Sequence, residues 1–598
     1  MAEKIVSPGV FTNEVDQSFL PAGVANIGAA IIGPTVKGPA FVPTVVGSYS
    51  EYIQKFGNVF TSGSGATKRS YKYLTSYAVE QYLKNATSVT VVRVMGAGYA
   101  KAYSNVASSG SVTNPATYGS ASDGASFTLY TLADGTILNS GQQGASTRGT
   151  GSGADQSTNG ILVSGSTDNL RWEISNVNEA KGTFTLVIRR GDDTNTSKTI
   201  LETWSNLSLD PNSPSYIARR IGDQVYTLAD AGTTQPYLQL SGSYPNKSAY
   251  VRVAVNKTTY NFLDNNGNVS DATYLASLPA AVSGTFAFGA DGALSHPAKY
   301  FESIDSTNTQ GVAATVYADA INLLANQDEY DINLLVTPGL LDDITAHATQ
   351  ITTALNMVQN RGDAFYVIDP VQYGSTITSA TQEADDRDTS YAAMYWPWIQ
   401  IPDPDLGRNV WVPASTLIPG IYAFNDRVSA EWFAPAGLNR GGIDIAIQAE
   451  RKLTQNNRDT LYDANVNPIA TFPGSGVVVY GQKTLQKKSS ALDRINVRRL
   501  LIAAKKFVAS TSRFLVFENN TAATRNRFLS IVNPYFESVQ QRQGLYAFKV
   551  IMDETNNTPD VVDRNELRGA IYLQPAKTAE FIIVDFIVQP TGATFPGE

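Results

Sequence analysis

The sequence predicts an α+β multidomain chain: a discontinuous α/β core made of N- and C-terminal regions, with one or more mainly-β domains inserted in the middle. Three observations predict it. Apolar, β-branched runs at 27–32 and 89–94 resemble runs at 332–336 and 365–368 far downstream. The downstream pair is separated by a helix-length segment, the spacing of a parallel crossover. Between about 100 and 312 the texture turns to Ser, Gly, Thr and Asn, with short alternating runs between turn clusters.

Residues 1–25 read as an N-terminal arm and linker: Pro8-Gly9 makes a turn, Val10 to Val15 alternates as a strand does, and Pro21 and Gly23 mark a connector. The first part of the core, 26–99, holds the strand ended by Gly33-Pro34. Its helix, 71–83, has Leu74, Tyr77, Ala78 and Tyr82 at helical spacing, and the strand 89–94 follows. The insertion, 100–312, contains alternating runs at 183–188 and 249–253; 104–125 and 139–160 are so poor in apolar residues that disorder is the rival reading there. The second part of the core, 313–480, carries the strands 332–336 and 365–368 around a helix at 340–358, with Gly362 just past its end, and a helix at 443–463. The C-terminal domain, 481–576, has helices at 491–510, with Ile495, Leu500 or Leu501, Ala504 and Val508 on one face, and at 520–542, where Pro534 should kink or split it. Strands at 546–552 and 570–573 precede a C-terminal arm, 577–598, whose segment 580–588 is apolar on both faces. Left unpaired, such a strand is an aggregation hazard, so it belongs in a sheet, its own or a neighbour's.

Composition narrows the function classes. The 598 residues carry only 16% charged side chains and a net charge of −8, which suits a protein that buries much surface against partners and does not suggest nucleic acid. Without cysteine, disulfides, zinc–thiolate sites and cysteine nucleophiles are excluded. No apolar run reaches the length of a membrane span, and the start lacks a signal-type apolar core, so the expectation is a protein kept in a cytoplasm. Catalytic signals are poor. The two histidines, His296 and His347, have no partner at a telling spacing. Asp264 to Asn268 lacks the glutamate of a calcium loop. Asp385-Asp386-Arg387-Asp388 could pair carboxylates for sugar hydrolysis, though a solvated acidic loop is the plainer reading. No catalytic residue, metal or cofactor is expected. From Lys483 to Arg542, twelve basic residues face three acidic ones, a net of +9 in an acidic chain. That stretch is either a docking face for an acidic partner or is paired inside the molecule.

A set of motifs then falls in one order: Ala434-Pro435-Ala436-Gly437-Leu438-Asn439-Arg440-Gly441, Val479-Tyr480-Gly481-Gln482-Lys483-Thr484, Asp493 to Leu500, Asn556-Asn557-Thr558-Pro559, Val562 to Glu566, and Tyr572-Leu573-Gln574-Pro575-Ala576, with Ser7-Pro8-Gly9-Val10 at the start. In these the chain resembles the contractile tail sheath proteins of bacteriophages, the myovirus tail sheath family. The resemblance implies a non-enzymatic structural subunit that stacks as hexameric rings around a tail tube. It would contract to drive the tube through the host envelope, with the tube, baseplate and tail terminator proteins as partners and no nucleic acid or membrane. It implies a place in the virion tail, after assembly in the host cytoplasm. It also implies terminal arms exchanged between subunits. Val10, Phe11, Thr12 and Val15, and Phe581, Ile582, Ile583, Val584, Phe586 and Val588, are then the exchanged strands. Tyr546, Phe548, Val550, Ile571 and Leu573 form the receiving hairpin. Residues 16–26 and 574–579 are tethers reaching about 33 Å and about 17 Å. Arg494, Arg498, Arg499, Lys505 and Lys506 are the tube-facing cations. The rivals are the sheath of a bacterial contractile injection particle, a surface-sugar hydrolase built on 100–312, and a shell or surface-layer protein.

Overall fold

The structure, a computed structural model, describes residues 28–62, 69–108, 125–139, 166–292 and 304–580. The expected strands Val10–Val15 and 581–588 lie outside them. At its centre is an eight-stranded sheet of β1 (Ala29–Gly33), β2 (Thr44–Val46), β3 (Val89–Arg93), β4 (Leu334–Leu341), β5 (Phe365–Asp369), β6 (Ala392–Trp396), β7 (Val466–Phe472) and β8 (Gly476–Val479), in the order β2-β3-β1-β4-β5-β6-β7-β8. The six inner strands are parallel, and β2 and β8 are antiparallel edges. β1 pairs with β4 in the register Ala29↔Leu334, Ala30↔Leu335, Ile31↔Val336. The two ends of the chain therefore meet in one sheet across the whole insertion.

Alternation sorts the strand residues between two layers, and the inner strands are apolar on both faces as parallel sheets require. Ala29, Ile31, Val89, Val91, Val336, Val367 and Tyr395 point into one cluster with α1 (Leu74–Leu83). Ala30, Ile32, Val92, Leu335, Tyr366, Ile368 and Met394 point into the other, against α2 (Thr345–Arg361). α2 starts later than the periodicity suggests, because Leu340 and Leu341 finish β4, where Leu341 pairs with Asp369. It ends at Gly362, which takes φ +68 and donates its N–H to the Val358 carbonyl. α3 (Ile418–Val428) lies beside α1 in the first layer.

Two expected helices are corrected. The 443–463 helix is only α4 (Gln455–Asp463), capped by Thr454. Residues 443–450 instead make a turn at 444–445 and a short strand at Gln448–Ala449: Ile443 N–H bonds to Val477, Ile447 N–H to Gln400 and Glu450 N–H to Trp398, while Ile443 and Ala449 are buried. Backbone pairing to neighbouring strands outweighs the local pattern. After α5 (Ile495–Ser512), α6 (Ala522–Gln541) passes through Pro534 unbroken. A proline removes one ladder bond, and the buried stripe Phe528, Val532, Phe536 and Val539 holds the helix together across it.

Between Lys101 and Thr285 every described strand pairs within that interval, in sheets of four, three and two strands. Of the sparse stretches, 104–107 completes a strand; 109–124 and 140–165 lie outside the described residues. Trp172, Phe127, Leu186 and Ile188 form the core here, joined by Phe60, Tyr71 and Tyr73 from the N-terminal region. Arg93, at the end of β3, fixes the base of the excursion. It is buried and donates to the carbonyls of Gly38 (2.7 Å), Asp134 (2.8 Å) and Val36 (3.4 Å).

Asp369 ends β5 fully inside. Burial pushes its carboxyl up to about 7, although Ser415 gives it both an O–H and an N–H (2.9 Å) bond. A raised carboxyl binds its proton more tightly when folded, so the contribution of Asp369 to stability is greatest below the ordinary aspartate value and declines as pH rises towards 7. Asp369→Asn should remove that decline and unfold at higher urea than wild type above pH 7, by on the order of 3 kcal/mol. Urea midpoints from pH 4 to 8 check this; parallel profiles for the two proteins would contradict it.

Candidate interaction surface of the C-terminal unit

The C-terminal unit is a two-stranded antiparallel sheet lying on α6. β9 (Leu545–Ile551) and β10 (Ala570–Pro575) pair Phe548 with Leu573 and Val550 with Ile571. These four side chains share the face that packs on Phe528, Val532 and Phe536, with Phe548 and Phe536 ring centroids 5.6 Å apart. Tyr546 and Tyr572 stand out of the other face, both more than 60% exposed. So four of the five expected hairpin residues hold the sheet to its helix, and what remains free is backbone: neither β9 nor β10 has a second partner strand among the described residues. The connection between them is fixed by Asn557, whose side-chain amide donates to the Asp553 and Arg568 carbonyls and accepts from Arg568 N–H.

α5 joins this unit to the core. Ile495 and Ile502 enter the cluster under the central sheet, while Leu500 and Ala504, about 140° and about 180° around the helix from Ile495, enter the cluster under β9 and β10.

The expected cations do not form one open face. Arg498 and Arg499 are 5% and 8% exposed. Arg499 makes a bidentate bond to Asp426 (2.5 and 2.8 Å); burial alone would lower its pKa, and Asp426 outweighs that and raises it. Arg498 donates to Ser390 and lies 4.0 Å over the Tyr391 ring. Lys506 bonds Asp331 at 2.6 Å. At these positions intramolecular pairing is the correct alternative, because a buried cation must be matched inside the molecule. Lys505 and Arg527 are exposed.

Arg494 has a different task, which the sequence did not reveal. It clasps Glu580 with two bonds of 2.7 and 3.0 Å. Tyr462 donates to the same carboxylate at 2.9 Å, and Gln482 at 3.0 Å while also donating to Thr578 at 2.6 Å. Ala576 N–H bonds the Gly544 carbonyl. The expected free tether at 574–579 is therefore corrected: its first two residues belong to β10, and the rest is held to the body through Ala576, Thr578 and Glu580. Burial would raise the Glu580 pKa; Arg494, Gln482 and Tyr462 outweigh it and hold the carboxyl below the usual glutamate range. The one sequence signal was an acidic residue heading an apolar strand.

The glycines of the 434–441 motif also gain a purpose. Gly437 N–H donates to the Val479 carbonyl, and Val479 N–H donates to the Gly441 carbonyl, so this loop covers the β8 edge. Gly437 sits at φ +84, and a Cβ on Gly441 would come within 2.7 Å of the Val479 oxygen.

His347 is buried at the start of α2, where its Nδ1 accepts from Leu341 N–H; His296 lies outside the described residues. Asp342, not a second acid, pairs with Arg387, and Asp388 accepts from Lys487 N–H. Asp264 accepts from the N–H groups of Asn266 and Asn268 in its own turn. Among the described residues no group of three or more His, Asp or Glu is placed to hold a metal, and no helix is long and apolar enough to cross a membrane.

Residues 313–485 match the model of the phage tail sheath protein central domain, and residues 487–589 that of the phage tail sheath C-terminal domain. A tail sheath protein of Vibrio phage KVP40 is 41% identical over 207 residues, which are 35% of this chain and 31% of that protein. One from Salmonella phage ViI is 28% identical over 310 residues, covering 48% of this chain and 49% of its own. The chain thus spans less than a third of the first relative and about half of the second. The crystal structure of a sheath tail protein from Listeria innocua, 10% identical, has the same fold over 92% of this chain and 95% of its own, with a TM-score of 0.51.

Glu580→Gln should leave the thermal transition of the body in place but raise amide exchange at 576–580 about tenfold, the loss of about 1.4 kcal/mol expected for a charge-assisted bond. In the wild type the same loosening should set in as pH falls below 4.5, the ordinary glutamate value, since a lowered carboxyl stabilises only while ionised. Exchange at 576–580 that ignores both the substitution and the acid would show that the clasp does not hold the segment.

Proposed function

Since the chain belongs to the phage tail sheath family, we propose that it is the structural subunit of a contractile tail sheath, stacked as hexameric rings around a tail tube and shortening to drive the tube through the host envelope. The observation that carries the exchange part of this reading is the pair β9 and β10. Its inner face is sealed on α6, both its edges lack a partner strand among the described residues, and beyond the Glu580 clasp the sequence continues as an apolar strand-length run. An exposed sheet edge takes an extended segment readily. On this reading Val10, Phe11, Thr12 and Val15 of one neighbour and Phe581 to Val588 of another add to the edges of β9 and β10. Each main-chain bond contributes about 0.5–1.5 kcal/mol. Each large apolar side chain, Phe581, Ile583 or Phe586, adds about 1.5–3 kcal/mol.

The partners are further copies of this chain, the tail tube, and the baseplate and tail terminator proteins that close the two ends. The work of contraction comes from two packings of the same bodies, the extended one held behind a barrier, with no nucleotide hydrolysed. The cations available to an acidic tube are exposed ones such as Lys488, Lys505 and Arg527, not the buried Arg498 and Arg499. The place of action is the virion tail, after assembly in the host cytoplasm.

Deleting residues 1–16 or 581–598 should leave a folded monomer that forms no sheath. Sedimentation and negative-stain microscopy check this, and full-length hollow tubes from either truncation would end the exchange reading. Lys505→Glu with Arg527→Glu should weaken assembly on tubes at least tenfold and spare tube-free sheath. Unchanged tube binding would remove these two residues from the docking face.

A further inference from the structure

A second feature lies between α1 and α3, in the layer of the central sheet that α5 also enters. The C-terminal end of α1, the outer side of α3 and the 438–445 loop enclose a cleft of about 310 Å³. Its apolar lining comes from Ile421, Phe424, Leu438 and Ile445, and its charged lining is two cations, Lys84 and Arg427, against one carboxylate, Asp444. Leu438 is 58% exposed. Among the described residues neither Lys84 nor Arg427 has a carboxylate partner; Lys84 reaches only the Gln81 amide oxygen, and Arg427 lies over the Phe424 ring.

The chain enters the described structure beside this cleft. Ala29 N–H donates to the Tyr82 hydroxyl at 3.0 Å, and Tyr82 sits on α1 between Gln81 and Lys84, both of which line the cleft. The sequence just upstream has the matching chemistry. Glu14 and Asp16 are the only ionised side chains between Ile5 and Asn26, and Phe19-Leu20-Pro21 follows them. From Phe19 to Gly28 the backbone can reach about 30 Å at ~3.3 Å per residue, ample for a site one tyrosine away.

From this placement we infer that the cleft is the seat of the chain's own N-terminal segment: Phe19 and Leu20 fill the apolar floor, and Asp16 meets Lys84 and Arg427. Burying the two apolar side chains removes the exposed patch around Leu438, and the acidic residue neutralises the net positive charge of the lining. The N-terminal arm then starts from a fixed point near Asp16, and residues 17–27 are attached to their own subunit.

The absence of native cysteine allows a clean test on the full chain in dilute, unassembled form. Leu20→Cys with Leu438→Cys, oxidised, should give an intrachain disulfide, seen as a monomer band of altered mobility that reverts on reduction. Separately, Leu438→Asp should raise amide exchange at 17–24 at least tenfold with the thermal transition unchanged. Disulfide-linked dimers in place of the monomer product would give the cleft to a second copy and overturn the assignment. So would unprotected 17–24 amides in the wild type. Neither measurement needs polymerisation, so the result stands apart from the fate of the strand-exchange reading.

Discussion

The parallel pairing of β1 with β4 is the constraint on which the molecule depends. It places the first described strand beside one that follows the entire insertion, and it creates the point at which the sheet grows in both directions. Loop-closure entropy rises only logarithmically, by about 0.6 kcal/mol for each doubling of length. A large excursion between β3 and β4 therefore costs the sheet little, provided its two ends are fixed. Arg93 meets that condition. It lies where β3 ends, and its guanidinium binds carbonyls from the N-terminal region and from the insertion together. Removing a buried cation of this kind takes a donor from three carbonyls, of which Gly38's still accepts from Asp134 N–H, so the excursion and the sheet are joined by a contact that cannot be lost cheaply.

The second joint is α5, and it works by facing two ways. A helix with one apolar stripe could serve the core or the C-terminal unit, but not both. Here Ile495 and Ile502 serve one, Leu500 and Ala504 the other, and the polar side chains between them are matched individually: Arg499 to Asp426, Arg498 to Ser390 and the Tyr391 ring. Such buried pairs add little net stability, because desolvation offsets attraction. They make one docking angle much better than its neighbours. A cluster of cations that reads as a surface patch in the sequence is, in the fold, the registration between two bodies.

What was legible in the sequence follows from this. The inner strands announced themselves because a strand buried on both faces must be continuously apolar, as Ile31, Val91 and Val367 are. The β9 and β10 pair was legible because Phe548, Val550, Ile571 and Leu573 alternate as one face on a helix must. The 443–463 segment misled because Ile443, Ile445 and Ile447 can be read with either period; partners 30 or more residues away, Val477 and Gln400, decided it. Net charge misled for a related reason. The sequence records that Arg498 and Arg499 are cationic, not that Asp426 and Tyr391 stand opposite them. The Glu580 clasp was illegible because its donors, Tyr462, Gln482 and Arg494, come from three separate elements and converge only in the fold.

That clasp bears on how an assembly of such subunits could move. A strand added to a neighbour's sheet transmits force along its backbone to wherever it leaves its own subunit. If the departure point were a loose loop, the first part of any displacement would be spent straightening it, and bodies could drift without consequence. With Glu580 held by a bidentate arginine, a glutamine and a tyrosine, the load passes at once into α4, α5 and the loop after β8, and from there into the central sheet. The bonds are arranged to share it, since two meet each carboxylate oxygen and their donors lie on different elements. A main-chain ladder loaded along the strand must break its several bonds together, and the clasp offers a comparable set in series with it. On the exchange reading the subunit can then rotate as a rigid piece, and the only freedom left in the C-terminal arm is the few bonds between Glu580 and the first paired residue.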